Sequence, residues 1–205
     1  MPPTNPPTNP PADAPAEARA SGIVMKSRLR RQVRGVLNEM AHPVPDLTGL
    51  VADFLAKRAH LRSLALFSPM RCEPGLLALR AALPHLTLCF PRVVDDTRIV
   101  FHEVQDHGEM QAGVFGILEP LADAPVIAPG AIDVFVCPGL AFDRHGGRLG
   151  RGRGYYDRLL ANARPDALKI GVCFSCQLVD SVFAERHDIR MDVVISEHGL
   201  EFPPP

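Results

Sequence analysis

No uninterrupted apolar run in the 205-residue sequence approaches the roughly 20 residues that a membrane-spanning helix needs. The hydrophobic fraction, 46%, is ordinary for a soluble globular protein. Net charge is nearly absent too. Twenty-two basic residues meet 23 acidic ones, a formal charge of -1, which argues against nucleic acid as the main ligand. The N-terminus lacks a basic segment followed by an apolar core and a small-residue cleavage site, so cytoplasm is the expected location. Cysteines are few and odd in number, five in all, which suits reduced thiols rather than a disulfide framework. Cys173 and Cys176 form Cys-x-x-Cys, but no second pair and no histidine at ligand spacing accompanies them. Their apolar neighbours Val172 and Phe174 favour packing thiols. The eight histidines contain no H-x-H or H-E-x-x-H pattern, and a Gly-x-Ser-x-Gly elbow is missing, so transition-metal and covalent acyl chemistry lack support.

The length suits one well-buried domain. Residues 1–21, rich in Pro, Ala and Asn, read as a disordered extension, and 22–205 as a single α/β domain. Leu29, Val33, Val36, Leu37 and Met40 recur at helical spacing over 26–40, with Ser27 as a possible cap. Lys26 and Arg30 share a face of this basic helix near its start, and on their own they read as a solvated surface. A second helix is expected over 46–57 and a third over 74–83, which would make Glu73 a dipole-complementing acid at a helix start. Short apolar strands are expected at 64–67, 86–90, 98–102, 133–137, 169–174 and 193–196, with 105–112 an irregular connection and 116–120 a loop. The dipeptide Pro138-Gly139 suggests a type II turn after the strand at 133–137. This alternation argues for a three-layer α/β/α sandwich with a mostly parallel sheet.

The chemistry concentrates between Gly146 and Leu160, Gly-Gly-Arg-Leu-Gly-Arg-Gly-Arg-Gly-Tyr-Tyr-Asp-Arg-Leu-Leu. Gly150, Gly152 and Gly154 free the backbone of β-carbons at alternate positions, so its N–H groups can approach an anion. Arg148, Arg151 and Arg153 add donors suited to phosphoryl or carboxylate oxygens. Asp157 follows as an exposed acid able to hold Mg²⁺, and a helix over 155–163 completes a strand, loop and helix unit. Neither G-x-G-x-x-G nor G-x-x-x-x-G-K-[ST] is present. Asp192, before the last expected strand, suits a cation ligand and a surface acid equally.

The segment Asp133–Asp157, with Asp-Val-Phe-Val-Cys-Pro-Gly and Arg-Leu-Gly-Arg-Gly-Arg-Gly-Tyr-Tyr-Asp, closely resembles the signature of the 5-formyltetrahydrofolate cyclo-ligase family. The resemblance extends to Lys26-Ser-Arg-Leu-Arg30, Glu73, Gly116-Ile-Leu-Glu-Pro120, Gln177, His187-Asp188 and Asp192. It implies an ATP- and Mg²⁺-dependent enzyme that closes 5-formyltetrahydrofolate to 5,10-methenyltetrahydrofolate through phosphorylation of the formyl oxygen. It further implies that Lys26 and Arg30 hold ATP phosphates, together with Arg148, Leu149, Gly150, Arg151, Gly152, Arg153, Gly154, Tyr155 and Tyr156. Arg148 and Arg153 would stabilise the transferring phosphoryl group. Glu73, with Tyr155 and the loop from Arg151 to Gly154, would bind the folate, and Asp157 and Asp192 would hold Mg²⁺. Family members often carry lysine or glycine in place of Arg153, and in some an aromatic residue in the loop before Glu119 shapes the folate pocket; whether Phe115 takes that place is left open by the sequence. The implied partners are small molecules, ATP and a reduced folate, with no nucleic acid or membrane; a monomer is expected.

Overall fold

The structure is a computed structural model and describes residues 16–40, 43–113 and 116–202. In chain order the elements are α1 (Ala16–Asn38), α2 (Thr48–Ala56), β1 (Ser63–Ala65), α3 (Leu79–Ala82), β2 (Thr87–Val93) and β3 (Ile99–Glu103). Next come β4 (Met110–Ala112), β5 (Leu118–Pro120), β6 (Val126–Ile127), β7 (Val134–Cys137), β8 (Ala141–Asp143) and β9 (Arg148–Leu149). The chain continues with α4 (Tyr155–Leu160), β10 (Leu168–Val172), β11 (Leu178–Val179), β12 (Val193–Ser196) and β13 (Gly199–Phe202).

The main sheet has eight strands in the order β13-β12-β10-β7-β1-β2-β3-β6. Its neighbours from β12 to β2 are parallel, while β13, β3 and β6 add antiparallel edges. A parallel strand inside such a sheet is covered on both faces and reads as a continuous apolar run, as Val-Phe-Val-Cys of β7 does. Strand periodicity then sorts the two cores. Leu64, Leu88, Val134, Val136, Ile170 and Val193 pack with Val33 and Leu37 of α1 and Val51 and Leu55 of α2. Ala65, Cys89, Phe135, Cys137 and Val194 face the other way, with Leu159 and Leu160 of α4. The three-layer α/β/α expectation holds.

Several boundaries differ from those read in the sequence. Helix α1 begins at Ala16, inside the segment assigned to the extension, so Ser27 is no cap and Lys26 is not at a helix start. The third helix shrinks to Leu79–Ala82, because Pro74-Gly75 leads into loop, and Glu73 therefore caps nothing. Residues 110–112 and 118–120 are not loop but the paired strands β4 and β5. Val114 and Phe115 lie outside the described residues. Pro138-Gly139 does not form a type II turn, since Gly139 lacks the positive φ that this turn needs. Glycine is required there for space: a Cβ would sit 2.6 Å from the Phe142 ring.

Candidate active site

Strands β1 and β7 run parallel, and the segments beyond their carboxyl ends build the walls of a cavity. Phe67 and Ser68 come after β1, Pro138 and Gly139 after β7, and Pro91 and Val93 belong to β2. Open α/β sheets present ligand crevices at this edge. The cavity measures about 290 Å³. Gln177, buried, fixes its floor by donating to the Gly139 carbonyl at 2.8 Å while accepting from Phe174 N at 2.8 Å.

The Gly146–Leu160 stretch divides into three parts. First, β8 and β9 form a hairpin held by Asp143, a buried acid whose Oδ1 accepts from His145 N at 3.0 Å and Gly147 N at 2.9 Å. Second, residues 150–154 form the loop, with Gly152 at φ 109 and Gly154 at φ 65, conformations that a side chain would strain. Third, α4 opens on left-handed Gly154 with no side-chain cap, leaving its first N–H groups without a side-chain acceptor.

Charge in the site is arranged in pairs. Arg148 Nη2 donates to Asp157 Oδ1 at 2.8 Å, and the Arg148 guanidinium lies 5.4 Å from the centroid of the Tyr156 ring. Only 3% of the Arg148 side chain is exposed, against 22% for Asp157. Asp157 is thus a half-buried partner, not the exposed acid that the sequence suggested. Glu73 is fully engaged: Oε1 accepts from Arg151 at 2.6 Å and Oε2 from Met70 N at 3.0 Å. Arg153 pairs with Asp96 at the exposed rim at 2.7 Å, and the Tyr155 hydroxyl donates to the Asp95 carbonyl at 3.1 Å. Burial pushes the Tyr156 hydroxyl well above its ordinary range, with Cys137 and Glu73 adding to the effect and Arg148 opposing it.

Among the described residues, the buried side-chain polar atoms without a hydrogen-bond partner are Arg148 Nε, Tyr156 Oη and Glu119 Oε1. All three residues line this cavity. An orphaned buried polar group costs about 1–3 kcal/mol, so the gathering of these three in one cavity sets it apart as the polar centre of the fold.

The structure therefore joins Glu73, Arg148, Gly150, Arg151, Arg153, Gly154, Tyr155, Tyr156 and Asp157 in one cavity. Leu149 points into the core. Arg30 lies just outside, donating to the Gly150 carbonyl at 2.9 Å and lining a basic groove with Arg31, Arg34 and Arg151, while Gly152 packs beside it. Lys26 is not in either lining. It is buried in ion pairs with Asp188 at 2.7 Å and Glu185 at 2.9 Å, which fasten α1 to the segment before β12. Asp192 is not in the cavity lining: it immediately precedes β12, and its Oδ2 accepts from Lys169 N at 2.7 Å. No cluster of three or more His, Cys, Asp or Glu suited to a metal occurs among the described residues. Of the two acids expected to hold Mg²⁺, Asp157 lines the cavity, and that ion is commonly held by one or two carboxylates with substrate phosphates and water. Cys137 and Cys173 are buried and free, and exposed Cys176 touches Met40 Sδ at 3.8 Å, so the thiols are packing groups. Glu119 and Arg92 were not singled out by sequence. The only trace of Glu119 was the Gly116–Pro120 stretch, which names no role, and Arg92 left none.

Comparison with known proteins points the same way. The profile of the 5-formyltetrahydrofolate cyclo-ligase family matches residues 24–197. A 5-formyltetrahydrofolate cyclo-ligase of Mycolicibacterium smegmatis is 35% identical over 186 residues, 84% of this chain and 95% of the relative. The solution structure of an Aquifex aeolicus 5,10-methenyltetrahydrofolate synthetase superposes with a TM-score of 0.73 at 31% identity, covering 86% of this chain and 91% of that one. A synthetase structure from Mycoplasma pneumoniae shares the fold at 24% identity and a TM-score of 0.70. With a matching profile over most of its length and relatives aligned almost end to end, the chain belongs to the 5-formyltetrahydrofolate cyclo-ligase family of enzymes.

Proposed function

We propose that the cavity converts 5-formyltetrahydrofolate to 5,10-methenyltetrahydrofolate at the expense of Mg-ATP, releasing ADP and phosphate. The observation that carries this reading is the gathering of the orphaned donors Arg148 Nε and Tyr156 Oη beside Asp157, with the orphaned acceptor of Glu119 in the same cavity. A site that lacks both an anionic and a donor-bearing ligand suits a phosphate and a heterocycle together.

In the balanced reaction the formyl oxygen attacks the γ-phosphorus and ADP leaves. N10 then attacks the activated carbon and loses its proton, and phosphate departs with the former formyl oxygen as the methenyl bridge closes. Little covalent work falls to the protein, so positioning and electrostatics dominate. Arg148 and Arg153 stabilise the transferring phosphoryl charge, and Arg148 is the stronger of the two because it is desolvated. Arg30, Arg151 and the backbone from Gly150 to Tyr156 hold the remaining phosphates. Mg²⁺, bound through Asp157, would neutralise phosphate charge. Lys26 acts indirectly, by fixing α1 and so the Arg30 grip on Gly150. Tyr155 and the apolar residues Phe67, Val93 and Ile99 enclose the folate ring.

The proposal is tested by phosphate release. Purified protein with Mg-ATP should release phosphate only when 5-formyltetrahydrofolate is added, one phosphate per folate consumed. Release without folate, or folate consumption without ATP, would overturn it.

A further inference from the structure

Three carboxylates line the cavity, and two already accept hydrogen bonds from arginines. Glu73 has both oxygens bonded, by Arg151 and by Met70 N, and Asp157 is paired with Arg148. Glu119 is different. It is 2% exposed, and its Oε1 accepts no hydrogen bond among the described residues. Arg92 Nη1 stands 3.9 Å from Oε2, too far for a hydrogen bond, because that nitrogen donates to the Pro120 carbonyl at 2.7 Å. The position is also built for a carboxylate. Strand β5 pairs with β4 so that Glu119 sits opposite Gln111, and a Cβ on nearby Gly113 would overlap the carboxylate itself. Apolar Val93, Ile99 and Ile117 line the same cavity. A buried, counter-charged carboxylate with an idle oxygen and an apolar surround matches a flat ring with adjacent N–H donors on one edge.

The ring of a reduced folate has such an edge: the N3–H and the 2-amino group point the same way, as a carboxylate requires. We propose that Glu119 is the specificity residue that accepts hydrogen bonds from the N3–H and 2-amino edge of the folate ring, Glu73 serving instead to hold Arg151. This inference rests on the proposed folate reaction. It adds the orientation of the substrate: the amino-bearing edge lies toward β5, which leaves the formyl side for Arg148 and the loop.

The test pairs a variant with an altered substrate. The 2-desamino-2-methyl analogue of 5-formyltetrahydrofolate lacks one donor, and a site built for that donor rejects the analogue by at least ~100-fold in kcat/KM. Wild type should show this penalty, carried mainly by KM. Glu119→Gln, which keeps the volume but turns an amide donor toward the ring, should bind the natural substrate poorly and discriminate by less than about 3-fold. Equal discrimination in wild type and Glu119→Gln overturns the assignment, as does a wild type that accepts the analogue as readily as the natural folate. If Glu119→Gln does not fold, Glu119→Ala takes its place, with the same loss of discrimination expected and retained discrimination overturning the assignment. The ratio of dissociation constants for the two folates, measured without ATP, keeps the matter separate from turnover: a protein that discriminates in binding but never turns over would refute the reaction and not the role of Glu119.

Discussion

Arg148 and Asp157 couple burial to charge more tightly than any other pair lining the cavity, and this decides how they respond to mutation. Removing one partner of a buried pair leaves the other charge uncompensated, at a cost of about 3–5 kcal/mol when burial is complete. Asp157 is partly exposed, so Asp157→Ala should cost about 2–3 kcal/mol, a smaller figure than the fully buried limit, and lower the melting temperature along with activity. Asp157→Asn keeps an acceptor for Arg148 but not the charge; it should melt between Asp157→Ala and wild type while losing Mg-dependent ATP binding, which calorimetric titration with and without Mg²⁺ would reveal. The thiols give an independent check on packing. Burial pushes Cys89 and Cys137 up to about 12 and Cys173 in the same direction. In native protein at pH 8, iodoacetamide should therefore label Cys176 first and Cys72 more slowly, with Cys89, Cys137 and Cys173 reacting only after unfolding, as peptide mass mapping would show. At this scale the glycine loop was legible in sequence because its residues are contiguous and their chemistry is local. Lys26 and Asp192 were placed by family resemblance, and the structure gives their charges other partners. Those partners, Asp188 for Lys26 and Lys169 for Asp192, lie 162 and 23 residues away, beyond the reach of any local pattern. Glu119 was missed for a related reason: its isolation is a property of the packed cavity.

Among the elements, α1 and the start of β1 carry the clearest electrostatic anchors. Asp133, just before β7, accepts from Arg62 N at 2.7 Å and Ser63 N at 3.0 Å, and pairs with Arg164 at 2.8 Å. Burial would raise its carboxyl, but Arg164 and the Arg62 and Ser63 bonds outweigh that and hold it below the usual carboxylate range. Its stabilisation is therefore complete above an ordinary carboxylate pKa of about 4 and is lost as pH falls through the lower folded value. Asp133→Ala should cost about 2 kcal/mol near neutrality, and the gap from wild type should shrink in melts run below pH ~3. Lys26 has the opposite sign. Burial lowers its ammonium, but the hydrogen bonds to Asp188 and Glu185 more than reverse this and leave it raised. That contribution is full below an ordinary lysine pKa of about 10.4 and is lost at higher pH, so melts of wild type and Lys26→Met should converge above pH ~11. Element existence was readable from periodicity for α1, α2 and the central strands, whose apolar runs are unambiguous. The short strands β4, β5, β8, β9 and β11 were not, because two or three residues carry no period and owe their form to pairing partners.

The whole molecule is a parallel-centred sheet with a core on each face and a cavity where β1 and β7 end. This arrangement lets one loop, anchored by the Asp143 hairpin behind and α4 ahead, meet groups that come from distant parts of the chain: Glu73, Glu119 and Arg30. The central claim is that this meeting place couples ATP cleavage to closure of a folate ring. The most direct measurement mixes protein, 5-formyltetrahydrofolate and Mg-ATP and follows the near-ultraviolet absorbance of the methenyl product, with each component omitted in turn. Product is expected from the complete mixture alone, and its loss in Arg148→Ala. Folded protein that binds 5-formyltetrahydrofolate but forms no methenyl product with Mg-ATP, or forms it equally well without ATP, would contradict the claim.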